Sequence, residues 1–408
     1  MRVRHAALAA SILALGTTGC LTPLDPAQVP IGAVRVTLGD RALTLDTLGV
    51  RRTARINAVA VAKDGYELPI ANFQYSSSNT AVAVVDSSGV VLAIAPGATR
   101  IAAIAPDGTR GEATVVVVPS TVDYEIPVGG APRAIAFSPD YTKAYVAVAG
   151  GSVAFLDAIG FFRVTTLTLG DEIADIAATP SLLYATHSGA RAVSVIATAT
   201  RELKARITLD GSPGAIVARD TRVWIAEPMV QHIVIVDGTT LTTSFAVAGE
   251  PAALALSADG SRLYVSLHDA SGWSLAMLDP ATGTEQSRVP LAGEPVAIAV
   301  GSSGDGAERV YAAIPGAGQL LAFGIGGGQL AITQTTSLAA QAGGIAARPG
   351  SAPLVVVSGS PLGILDGGTL AVLDTVMNGG SGCVAVRPDG LFVFVGALDA
   401  AAVRVIGL

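Results

Sequence analysis

From about residue 126 onward, short apolar runs alternate with clusters of Gly, Pro, Asp and Ser, and the alternation repeats. The clearest copy spans Gly249 to Val289. Pro251 to Leu256 is one apolar run, Ser257-Ala-Asp-Gly a turn, and Leu263-Tyr-Val-Ser-Leu a second run. Trp273-Ser-Leu-Ala-Met-Leu is a third, and Asp279-Pro-Ala-Thr-Gly turns the chain into a fourth that ends at Val289. Runs this short, bounded by residues that tolerate tight turns, predict strands rather than helices.

One position at the head of each unit can be followed through Pro132, Ile173, Pro213, Pro251, Pro295, Ala342 and Ser381, at spacings of 38 to 47 residues. Four strands per unit, repeated about every 40 residues, is the pattern of a propeller, and seven occurrences predict seven blades over residues 121–408. After Ser381 only three strands remain, Cys383–Val386, Leu391–Val395 and Ala402–Ile406. Tyr124-Glu-Ile-Pro-Val128, just ahead of the first unit, is expected to supply the fourth and close the ring, which hides the edge strands. Ser138-Pro-Asp before Ala144-Tyr-Val, Ser257-Ala-Asp-Gly before Leu263-Tyr-Val and Arg387-Pro-Asp-Gly before Phe392-Val-Phe-Val resemble the YVTN-type propeller repeat. The same pattern also resembles propellers of the lactonase type.

Residues 31–118 alternate apolar and polar positions on a period of two, as in Val34-Arg-Val-Thr-Leu, Arg55-Ile-Asn-Ala-Val-Ala-Val and Ala113-Thr-Val-Val-Val-Val. About seven short strands in a stretch of this length predict a β-sandwich. Tyr75-Ser-Ser-Ser-Asn-Thr-Ala-Val-Ala-Val-Val-Asp-Ser-Ser-Gly-Val-Val, followed by Ala95-Pro-Gly-Ala-Thr-Arg-Ile, resembles the bacterial Ig-like domain, group 2, with Tyr75 where that family carries Trp. The resemblance implies a spacer or adhesion module without chemistry of its own. The expected fold is therefore all-β throughout.

Composition fits this reading. The chain is 50% hydrophobic and 14% charged, with 47 Gly among its 408 residues, which suits packed strands and tight turns. A net charge of −7 with no basic run argues against nucleic acid as a partner. Arg2 and Arg4 precede an apolar stretch, Ala7 to Leu15, that is too short to span a bilayer, so residues 1–19 are expected to be an export signal. Leu15-Gly-Thr-Thr-Gly-Cys20 resembles a bacterial lipoprotein signal, which implies lipidation of Cys20 and a tether over residues 20–30. The expected location is the cell envelope, at the outer membrane, because Leu21 follows the Cys where inner-membrane signals carry Asp. Cys383 is the other cysteine and cannot form an internal disulfide in the mature chain. It is expected to be a buried, inert thiol.

Candidate chemistry is sparse. The residues just before the tracked position are Ala131, Glu172, Ser212, Glu250, Glu294, Gln341 and Gly380. Glu172, Glu250 and Glu294, with Asp171 and Asp210 close by in sequence, would make an acidic arc at one mouth of the channel. Such an arc could bind Ca²⁺ or a cationic partner surface, or remain solvated loop residues. Asp175 is the one acid inside a first strand, facing the channel or pairing with a neighbouring backbone amide or Arg. His187, His232 and His268 show no zinc-ligand spacing. A Ser-His-Asp set stays open, since triads assemble in space. Gly324-Ile-Gly-Gly-Gly reads as an inter-strand turn, and Trp224 and Trp273 as packing residues. The function expected is non-catalytic binding or scaffolding of a protein or envelope partner. The alternative is a lactonase-type hydrolase using a divalent ion in the channel.

Overall fold

The computed structural model describes residues 30–38, 44–46, 53–70, 72–95, 97–118, 122–303, 305–338, 342–348 and 353–408. The expected leader, Cys20 and the tether up to residue 29 lie outside them, as does Gln341. Among the described residues the chain is all-β, with only two single-turn 3-10 helices, Pro228–Val230 and Pro315–Ala317. No helix among them is long and apolar enough to cross a membrane.

Two sheets precede residue 120. Ile31–Leu38, Thr53–Ala62, Val90–Ala93 and Ala83–Val85 form one, with Glu67–Leu68 added to Thr53–Ala62. Thr44–Asp46, Arg110–Val118, Gly97–Ile104 and Gln74–Ser77 form the other. Ile56 and Val91 from the first pack against Ile101, Val115 and Val117 from the second. The Ser-Ser-Asn motif is a hydrogen-bonded knot between strands. The buried Thr99 hydroxyl lies 3.0 Å from the Ser77 hydroxyl and accepts the Asn79 N–H at 2.9 Å. The Asn79 side chain then accepts the Ala81 N–H at 3.1 Å, setting the turn that follows. Tyr75 lies against Gly89, whose φ is +80° and whose missing Cβ would sit 3.1 Å from the tyrosine ring. Glycine is needed there for conformation and for space.

Among the described residues, seven further sheets each hold four antiparallel strands. Their first strands are Pro132–Phe137, Asp175–Ala178, Ile216–Arg219, Glu250–Leu256, Ala297–Ser302, Gly344–Ala347 and Val384–Val386. These strands touch in succession and the last touches the first, so the sheets stand around one axis. In six sheets the four strands follow one another along the chain. In the seventh, Tyr124–Pro127 forms the outer strand and pairs antiparallel with Ala402–Gly407. Second and third strands, such as Lys143–Val148 and Ser152–Asp157, are buried along nearly their whole length because neighbouring sheets cover both faces. Outer strands such as Phe162–Thr168 alternate between exposed and partly buried positions.

Four second strands carry an aromatic side chain that reaches into the next sheet. The Tyr184 hydroxyl donates to the Gly238 carbonyl at 2.8 Å, the Trp224 indole N–H to the Pro280 carbonyl at 2.7 Å, and the Tyr311 hydroxyl to the Gly367 carbonyl at 2.8 Å. Every acceptor lies in the turn between third and fourth strands of the following sheet. Tyr264 instead donates to Glu308 Oε1 at 2.5 Å. In the seventh sheet the equivalent ring is Phe394, which has no hydroxyl. There Arg387, 4% exposed, donates to the Ala158 carbonyl of the first sheet at 2.7 Å, pairs with Asp389 at 2.7 Å and lies over the Phe392 ring at 4.4 Å.

The ring has two unlike faces. First strands run downward from an upper face, whose loops lead into them, to a lower face of tight turns. The chain joins the ring on the lower face. Asp123 accepts the Gly407 N–H at 2.7 Å, and the Leu408 N–H donates to Leu391, in a lower turn, at 2.8 Å.

Candidate functional site

The first strands carry small side chains toward the axis, and this leaves a channel cavity of about 390 Å³. All seven sheets line it, among them through Ala134, Asp175, Ala215, Ala253, Ala297 and Gly344. Asp175 is the only carboxylate in that lining. Its Oδ1 accepts the Ile176 N–H at 2.8 Å and its Oδ2 the Ile216 N–H at 3.0 Å, in the first strand of the next sheet. The carboxylate is therefore a cross-sheet strut, its residue only partly exposed and its carboxyl enclosed by protein. Burial outweighs the two backbone hydrogen bonds and raises its pKa to about 6. Cys383 also lines the channel and keeps partial exposure as a residue. Burial, with the nearby Asp175 charge second, pushes its thiol up to about 12, so thiolate chemistry is suppressed.

The acidic arc divides into two halves. Glu172 accepts the Gly150 N–H at 2.8 Å and pairs with Arg133 at 3.4 Å, while Asp171 pairs with Arg206. Those charges are locally compensated. Among the described residues, the side chain of Glu250 has only the His268 ring, at 4.0 Å. Asp210 and Glu294 are exposed and make no ion pair or hydrogen bond among the described residues. No three His, Cys, Asp or Glu side chains among the described residues are grouped to hold a metal ion. The arc and Asp175 thus do not come together.

The histidines serve the frame. His187 ends a second strand, fully buried, with Nδ1 beside the Asp171 carbonyl at 3.2 Å and Nε2 against the Ser194 hydroxyl at 2.9 Å. Burial lowers its pKa. This Ser–His contact is sealed from solvent at both partners, and a main-chain carbonyl orients the ring, so it is not a hydrolytic triad. His232 opens a third strand and bonds the Val230 carbonyl at 2.6 Å, and His268 stacks on Trp273 at 4.8 Å. Gly327 and Gly328, both at positive φ, make the turn expected after Gly324. The lower face holds a second cavity of about 490 Å³ beside Arg219, Arg222 and Trp224. Its arginines are engaged, Arg222 with Asp237 at 3.2 Å and Arg219 with the Ala258 carbonyl.

Sequence reasoning passed over Glu227, which ends a second strand with 2% exposure and accepts the Gly211 N–H at 2.7 Å. It fixes the loop that presents Asp210. An acid closing a β-branched and aromatic strand, Arg222-Val-Trp-Ile-Ala-Glu, was the available signal.

These features define an all-β protein with an Ig-like sandwich and a β-propeller. The model of the bacterial Ig-like domain (group 2) matches residues 59–117. Among solved structures, the chain is similar to the β-propeller domain of Cps50 (Swd1) from Myceliophthora thermophila, with a TM-score of 0.60 at 12% identity, covering 71% of this chain and 100% of that one. It is also similar to hydrazine synthase from Kuenenia stuttgartiensis, with a TM-score of 0.59 at 18% identity, covering 68% of this chain and 96% of that one. At such identities the likeness speaks for fold alone. A search of curated proteins returns no match.

Proposed function

We propose that this chain is an exported envelope lipoprotein, cleaved before Cys20 and anchored there to the outer membrane. In this reading residues 31–118 are an Ig-like spacer. Residues 121–408 are a seven-bladed propeller of YVTN type, closed by the strand Tyr124–Pro127. The propeller binds or scaffolds a protein or envelope partner through its upper face and performs no catalysis. One observation supports this most: the chain joins the ring on the lower face, so the upper mouth is turned away from its own linker.

The hydrolase alternative, with a divalent ion such as Ca²⁺ in the channel, finds no ligand grouping among the described residues to favour it. The test is affinity capture from detergent-solubilised envelope with the intact chain and a Cys20→Ser control. A stoichiometric protein partner, held by the anchored form, is the expected outcome. No partner, together with thermal stabilisation by Ca²⁺ and turnover of a lactone panel, would sink the binding reading and promote the enzyme.

A further inference from the structure

The upper face is not uniform around the ring. On the side of the second sheet its acids are neutralised by Arg133 and Arg206. On the side of the third to fifth sheets, Asp210, Glu250 and Glu294 have no Lys or Arg partner among the described residues. Exposed apolar side chains accompany these carboxylates. Met229 is 78% exposed and Val230 38%. Their turn packs on the first strand that begins at Glu250, and Val230 sits against Gly211, next to Asp210. Val296, also exposed, lies two positions beyond Glu294.

The loops are held by backbone constraints. The buried Glu227 grips Gly211, and Val296 N–H donates to the Ala313 carbonyl at 2.9 Å. Gly249 takes φ +139° and a Cβ there would come within 2.8 Å of the His268 carbonyl. A surface fixed before binding loses little freedom on binding. An unbranched, polarizable methionine is well suited to fill an irregular contact.

The geometry points to this sector as a docking site for a basic peptide segment of a partner protein, one in which Lys or Arg side chains flank an apolar residue. The apolar residue meets Met229, Val230 and Val296, and the cations meet Asp210, Glu250 and Glu294. The assignment deepens the binding-module reading and rests on it. It differs from a plain acidic patch in requiring the apolar contact as well as the charge.

The probe is a labelled peptide alternating Lys and Leu, titrated against the full-length chain in detergent, with a Lys–Gly peptide of equal charge as control. We expect the Lys–Leu peptide to bind more tightly. The D210N/E250Q/E294Q variant should lower its affinity about tenfold, and Met229→Ser about threefold. The matched variant D64N/E67Q/D220N, which removes three exposed charges elsewhere, should leave affinity unchanged. Equal loss in the matched variant, or equal binding of the Lys–Gly peptide, would overturn the assignment. So would Ca²⁺ stabilising the wild type but not the D210N/E250Q/E294Q variant while no peptide binds. A captured envelope partner that holds that variant undiminished would overturn the sector and leave the binding module standing. Failure of both capture and peptide binding would remove both.

Discussion

The junctions between successive sheets and the junction where the last sheet meets the first solve one packing problem with different chemistry. At three junctions along the ring an aromatic donor on the second strand reaches a turn carbonyl in the next sheet, through Tyr184, Trp224 and Tyr311. At the seam Phe394 occupies that place in the ring stack, 4.9 Å from Phe137, and has nothing to donate. Arg387 takes over from a different strand end, carrying a buried charge that needs Asp389 and the Phe392 face to be tolerable. A neutral hydroxyl latch loses one hydrogen bond when removed. The seam latch, when broken, strands a carboxylate and a carbonyl. The difference teaches that one packing demand is met by a neutral aromatic donor at several consecutive junctions, with a carboxylate as acceptor for Tyr264, and by a buried ion pair where the last sheet meets the first.

Several measurements would break or sharpen this contrast. Deleting residues 121–128 should have the largest effect. It removes the outer strand of the seventh sheet and the buried Ile126 and Val128, a loss of about 5 kcal/mol or more, enough to abolish cooperative thermal unfolding. Arg387→Leu should cost about 3 kcal/mol in chemical denaturation, because Asp389 is left unpaired. Adding Phe394→Tyr to that variant should recover about 1 kcal/mol if a hydroxyl can serve at the seam as it does elsewhere, and no recovery would show that the seam geometry differs in kind. Tyr311→Phe alone should cost about 1 kcal/mol, read from the same denaturation midpoint shift.

A further effect, read through pH, concerns the channel. Asp175 titrates near 6 when folded and near 3.9 when unfolded, so the native state holds more protons between those values. Its contribution to stability is therefore full below about pH 4 and declines as pH rises to about 6. Asp175→Asn should flatten the thermal midpoint across that window relative to the wild type. An unchanged slope would mean that the carboxylate is not the group responsible.

Much of the architecture was legible because its causes are local. Tight turns such as Ser257-Ala-Asp-Gly and apolar runs such as Leu263–Leu267 define strands without long-range information, and each first strand begins within three residues of the tracked position. Asp175 was legible as a first-strand acid in need of a partner, and backbone amides are that partner. The division of the acidic arc was not legible. Whether Asp171 is neutralised depends on Arg206, 35 residues later, and whether Asp210 is held in place depends on Glu227, which loop spacing does not reveal. Arg387 was visible as part of a turn motif, but its role at the seam was not, since its acceptor at Ala158 is 229 residues away. Sequence periodicity reports what repeats, and partners of this kind are the positions where the repeat departs from itself.

The pairing of Tyr124–Pro127 with Ala402–Gly407 also sets a schedule. Glu125 and its partner Arg404 are 279 residues apart in the chain. At a synthesis rate of about 5–20 residues per second, the first of these strands waits roughly 15–60 seconds for the second to exist. Until then the unfinished ring has an unpaired strand at its start and an open sheet edge at its growing side, both prone to wrong pairing. The pairing thus waits for the last strand of the ring, and a premature stop anywhere before Ala402 leaves Tyr124–Pro127 without its mate.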